Sequence, residues 1–210
     1  MRKKILFGAI FFALLLLLGG SFLLKQQSNE LVIAAEVDEN LANLSVKIEE
    51  EIKNNTFLSF SSNPYDYAYD SEYFSNIVEL GIDAVPVLRE RLEDSTSDGL
   101  EEYVMAIAIE EITNCDLKEL EGYEWSTANE FTETWDNFVE EASENVDTIL
   151  QDTVSVDEKI EKIKPYGIFA AEKTQEYMQK NKKKEDIKKL ESYCKDLDVS
   201  KADVKKIRKW

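Results

Sequence analysis

NIVELGIDAVPVLRERL (76–92), with YVMAIAIEEIT (103–113) following, decides the fold. Tyr73, Phe74, Ile77, Val78 and Leu80 recur at helical spacing, and Gly81 stands where a helix commonly turns left-handed and stops. Asp83 is placed to cap a second helix with Pro86 in its first turn, where a missing N–H does no harm, and with Val85, Leu88 and Leu92 on its face. The pattern predicts a tight helical hairpin. A third helix is expected to open at the capping pair Asp98 and Glu101 and to turn Leu100, Tyr103, Val104, Ile107, Ala108 and Ile112 inward.

Outward from this stretch the same device recurs. Thr127 with Glu130 precedes Phe131, Trp135, Phe138, Val139 and Ala142, and Ser155 with Glu158 precedes Ile160 and Ile163. Ser200 with Asp203 resembles a further cap. With seven Gly and three Pro in 210 residues, a β architecture would lack turn residues, so the expected class is all-α. A faint echo joins Ile77, Gly81 and Ala84 to Ile163, Gly167 and Ala170 at a constant offset.

Composition closes several chemistries. The chain has no histidine, which removes Ser-His-Asp and Cys-His nucleophile systems, His-liganded zinc and imidazole acid–base work. The net charge of −18 is unevenly spread. Residues 61–150 hold 24 acidic and 3 basic side chains, whereas 181–210 carry 11 basic and 6 acidic. Cys115 and Cys194 permit one bridge but read better as unpaired small apolar residues on helices.

Residues 5–24, ILFGAIFFALLLLLGGSFLL, run without a charge between Arg2, Lys3, Lys4 and Lys25. At about 1.5 Å per residue such a helix reaches roughly 30 Å, the thickness of a bilayer's hydrocarbon core. The basic flank predicts a single-pass N-terminal transmembrane helix, N-in and C-out, held in the lipid bilayer through residues 5–24. A cleaved secretory signal, with Gly19 and Ser21 as its small residues, is the rival reading and would make the protein secreted. Four segments are expected: an anchor or signal at 1–24, a polar stalk helix at 25–60 striped by Leu41, Leu44, Ile48 and Ile52, an acidic domain at 61–150, and a C-terminal extension of amphipathic helices with a basic end at 151–210.

Residues 76–92 with 103–113 resemble the helix pairs of HEAT-type repeats. The stretch from Asn63 to Phe138, with NPYDY at 63–67 and Trp135 within it, resembles uncharacterised membrane-anchored bacterial surface proteins that carry such a module. That resemblance implies an extracytoplasmic α-helical module and brings no known activity.

The candidate contact residues are Tyr65, Tyr67 and Tyr69 with Asp66 and Asp70, an extended-looking segment that offers rings and carboxylates to a partner. Carboxylate pairs such as Glu110 with Glu111 and Glu140 with Glu141 read as solvated helix faces. The loop Asp94, Thr96, Asp98, Gly99 starts like a calcium loop but has Met105 where the bidentate glutamate belongs. No catalytic residue, cofactor or metal is therefore expected. Lys182–Lys184, Lys188, Lys189, Lys205, Lys206, Arg208 and Lys209 alternate with Ile187, Leu190, Leu197, Val204 and Ile207, which favours amphipathic helices over a nucleic-acid site. The expected function is a non-catalytic, extracytoplasmic protein-binding module with a cationic partner. The alternatives are an accessory or immunity subunit of a membrane complex, and an envelope glycan hydrolase that works through two carboxylates.

Overall fold

The computed structural model describes residues 2–54, 60–181, 184–197 and 207; the side chains described exclude those of residues 2–26, 184, 185 and 196. Among the described residues the chain is all-α, and its β-type pairing is a single antiparallel bridge between Cys115 and Tyr166. The helices in order are α1 (Arg2–Lys53), α2 (Pro64–Tyr69), α3 (Glu72–Glu79), α4 (Val85–Asp94), α5 (Leu100–Thr113), α6 (Ala128–Gln151), α7 (Val156–Ile163), α8 (Gly167–Lys180) and α9 (Lys184–Asp196). Among the described residues no helix is long and apolar enough to cross a membrane. The run 5–24, which carries the anchor expectation, falls outside the described side chains, and Ser200 with Asp203 lies outside the described residues.

α5 is the central helix. Val104 to Ile109 are six consecutive buried residues, so the helix is apolar all round and neighbours pack on every side: α2, α3, α4 and α6. Around it the predicted hairpin takes a different form. Gly81 is left-handed as expected, with φ +65°, and Pro86 sits in the first turn of α4. Between them lies a 3₁₀ turn, Gly81–Asp83, so Asp83 lies inside that turn and Ala84 stands at the helix N-cap without a side-chain bond. α3 makes its largest contact with α1, and α4 makes its own with α5.

The segment expected as a polar stalk helix contributes to the core. Val37, Leu44 and Ile48 of α1 are buried and Leu41 is partly so, and α1 packs on α3 and α4. Arg91 on α4 forms a two-pronged bond with Asp38 on α1, at 2.8 and 3.0 Å. Asn76 donates to Asn40 at 3.0 Å.

Local caps account for the long helices. Thr127 and Ser155 each accept from the backbone N–H three residues on, as their spacing predicts. The third pair shifts by one residue: Gly99 is the N-cap of α5, and Glu102 reaches back to the Gly99 N–H at 3.0 Å while Ser95 and Ser97 donate to it. Asp98 is thereby released from its own helix. It accepts from the backbone N–H of Ala128, at 2.8 Å, and of Asn129, so it caps α6 from thirty residues away.

α6 joins the two halves. Its buried face, Phe131, Trp135, Phe138, Ala142, Val146 and Leu150, packs chiefly on α8, and Ile163 and Phe169 belong to the same continuous core. The C-terminal helix α9, with four lysines balanced by four carboxylates, packs on α7 and α8 through buried Leu190 and Tyr193, with Lys189 paired to Asp157. α9 therefore docks on the C-terminal helices, and Ile207 is buried in the same core.

Candidate functional site

Asn63 decides the local structure of the tyrosine segment. Its side chain accepts from the Tyr65 N–H, and Pro64 supplies a first helical residue that has no N–H to satisfy. Residues 64–69 therefore form a helix where an extended-looking segment was expected, and the alternation Tyr65, Tyr67, Tyr69 is split across two faces. Tyr67 is buried and donates to the Ser61 carbonyl at 3.1 Å. Tyr65 and Tyr69 share the opposite side, with ring centroids 6.0 Å apart. Asp66 accepts from Ser61 and Asn63, closing the turn ahead of α2, and the Asp70 carbonyl accepts from Lys47 of α1.

Tyr65 is one rung in a ladder of rings. From Tyr69 at the surface, 57% exposed, ring contacts continue through Tyr65, Tyr103, Trp125 and Phe131 to Trp135 and Phe138 in the core. Lys118, in the 3₁₀ turn Leu117–Glu119, points its ammonium into this ladder. The Nζ lies 3.9 Å from the Trp125 ring centroid, 5.0 Å from that of Tyr103 and 5.2 Å from that of Tyr65, and it donates to the Tyr103 and Tyr65 hydroxyls at 2.6 and 3.2 Å. The Trp125 π system and the two phenol oxygens both attract a cation electrostatically. Burial works against the ammonium, but the two phenols outweigh it and hold the Lys118 pKa above the ordinary lysine value.

Beside this cluster stands Glu110. Sequence spacing placed it on a solvated face with Glu111; the structure corrects this, because Glu110 is only 8% exposed and Glu111 alone is exposed. The Glu110 carboxylate accepts from the Leu117 N–H at 2.9 Å and from the Trp125 indole N–H at 3.2 Å, so it fastens the loop after α5 to the central helix. Burial is the main cause that pushes its pKa above the ordinary carboxyl value, against the two N–H donors, while Asp116 raises it further and Lys118 lowers it. A carboxyl whose pKa rises on folding stabilises the fold below its unfolded pKa, and that contribution is lost as pH climbs through the folded value. Glu110→Gln is therefore expected to leave neutral-pH stability equal to or above the wild type, and to remove part of the wild type's gain in stability on acidification. Glu110→Ala, which strands two buried donors, should cost about 1–3 kcal/mol. Thermal melts of the three proteins at pH 5 and pH 7.5 test the pair, and a Gln variant as unstable as the Ala variant at neutral pH would refute the account.

Burial, then the Glu111 carboxylate that accepts from its hydroxyl at 3.1 Å, pushes the Tyr69 phenol up to about 12. The cysteines are both free; burial pushes Cys115 up to about 12 and Cys194 to about 11, which leaves neither a ready nucleophile. A concavity of about 790 Å³ lies against α6, α7 and α8, lined by Glu140, Glu144, Asp147, Asp152, Lys162 and Lys173. Glu141 accepts from the Tyr123 hydroxyl. Among the described residues no group of His, Cys, Asp or Glu side chains is placed to hold a metal ion.

No family model, curated protein or solved structure matches the chain. The site is thus read from its own geometry. Sequence reasoning reached Tyr65 and Tyr69 but missed Lys118, Tyr103 and Glu110. One signal was available for Glu110: it follows six apolar residues on a helix that shows no polar stripe.

Proposed function

We propose that this chain is a membrane-anchored, extracytoplasmic binding module without catalytic chemistry, that its helical body is HEAT-like, and that its acidic surface receives a cationic protein partner. Three features support the reading: the uncharged run 5–24 behind a basic N-terminus, the helix-pair pattern at 76–113, and the disposition of charge in the central block.

The observation that carries it concerns the three cations of residues 61–150. Arg89 is bound to Asp136 and Glu93, Arg91 to Asp38 and Glu90, and Lys118 is enclosed by its rings. Each is spent on internal contacts, while most of the 24 carboxylates of the block line exposed surface. A field of one sign speeds encounter with an oppositely charged partner and repels a like one.

The test is capture of partners from cell envelopes by the full chain, at low salt and at about 1 M salt, where the Debye length has fallen to about 3 Å. The expected result is a basic protein retained at low salt and released at high salt. Failure to retain any salt-sensitive partner would overturn the proposal.

A further inference from the structure

The geometry points to the outer end of the aromatic ladder, Tyr69 with Glu111, as the seat for a lysine or arginine side chain of a basic partner. The inference rests on the cationic-partner reading above and assigns it a place.

Lys118 supplies the first argument. The inner rungs of the ladder already hold an ammonium ion, against the Trp125 ring and two phenol oxygens, in a protein with abundant carboxylates available for pairing. The recognition chemistry of this cluster is therefore displayed by a resident cation. The outer rung repeats its elements without such an occupant among the described residues: the Tyr69 ring is more than half exposed, it lies against Tyr65, and the carboxylate of Glu111 meets its hydroxyl at 3.1 Å.

The second argument is rigidity. Tyr69 is held edge-on by the buried Phe74 ring at 5.7 Å, and its hydroxyl is fixed by Glu111, so little conformational freedom is lost when a ligand stacks on it. A guanidinium could lie flat on the ring while it pairs with Glu111, which favours arginine over lysine. Charge complementarity selects the occupant: the exposed Glu111 carboxylate stands at the Tyr69 hydroxyl, the exposed Asp70 follows Tyr69 in the chain, and Lys47 is engaged by the Asp70 carbonyl.

The experiment measures binding of a fluorescent hexa-arginine peptide to the full chain in detergent micelles, by anisotropy, at low salt and at about 1 M salt. Tyr69→Ala is expected to weaken binding about two- to fivefold, the range of a surface cation–π contact. Tyr69→Lys, which places a cation in the seat, should weaken it more than about tenfold, and Tyr69→Phe, which keeps the ring, much less than either. Glu133→Gln, an equal loss of charge on exposed α6, should change it little. Tyr69 is more than half exposed, so all variants should melt in one cooperative transition, lowered only by the loss of its contacts with Phe74, Tyr65 and Glu111. Salt-sensitive wild-type binding that survives Tyr69→Lys would overturn this assignment and leave the cationic-partner reading intact; absence of wild-type binding would overturn both.

Discussion

Gly167→Ala is expected to abolish the folded state or destabilise it by about 4 kcal/mol or more, the largest effect of a single methyl group anywhere in the described chain. Gly167 opens α8 in the left-handed region, with φ +50°. A Cβ there would stand 2.2 Å from the Thr113 carbonyl oxygen and 2.4 Å from that of Asn114, both main-chain atoms that no side-chain rotation can clear. The two segments cannot separate without loss. They are tied by the Asp116 N–H to the Pro165 carbonyl at 2.9 Å and by the bridge of Cys115 with Tyr166, and buried Ile168 and Phe169 follow at once. The control is Gly81→Ala. Gly81 has a similar φ of +65°, but a Cβ at that position meets nothing within 4 Å, so only the cost of the left-handed backbone remains, about 1–2 kcal/mol. Thermal melts followed by circular dichroism separate the two. Similar melting temperatures for both variants would show that contact between the two segments yields easily, contrary to this account.

That contrast shows what a sequence discloses and what it hides. The echo at Ile77, Gly81, Ala84 and Ile163, Gly167, Ala170 was visible, and both triplets place a left-handed glycine between a buried isoleucine and a buried alanine. The crowding at Gly167 was invisible, because the atoms responsible lie more than fifty residues earlier. Caps divide in the same way. Thr127 and Ser155 act within one turn of their own helices and were legible. Asp98 was placed on the wrong helix because the competing Gly99–Glu102 pair satisfies α5 locally and frees the carboxylate for α6.

The candidate site follows the same rule. An alternating Tyr pattern looks extended until Asn63 and Pro64 are weighed as a helix start, and the helix then separates Tyr67 from Tyr65 and Tyr69. Lys118 meets Tyr103 and Tyr65 across 15 and 53 residues of chain, a separation at which no spacing rule operates. Of the apolar stripe expected on α1, Leu41, Leu44 and Ile48 enter the core with Val37, whereas Ile52 stays exposed, because nothing local says where α3 and α4 lie against the helix.

The second large effect belongs to Phe138. It is fully buried on α6, and its ring touches four others: Trp135 at 5.6 Å, Tyr123 at 5.6 Å, Tyr166 at 5.8 Å and Phe169 at 5.3 Å. These partners come from α6 itself, from the loop before it, from the segment that carries Gly167, and from α8. Phe138→Ala would remove the common neighbour of all four and leave a cavity that a 24-residue helix cannot collapse around, since Trp135 and Ala142, one turn away on either side, are equally buried. The expected loss is about 3–5 kcal/mol. Phe138→Leu, which keeps most of the volume, should cost less than half of that. In chemical denaturation both variants should shift the midpoint with little change in slope, because α6 and α8 would still unfold together with the rest of the core. A second transition in the Phe138→Ala curve would instead mean that the α6–α8 contact is the joint between two units that fold separately, and that the core divides at that helix.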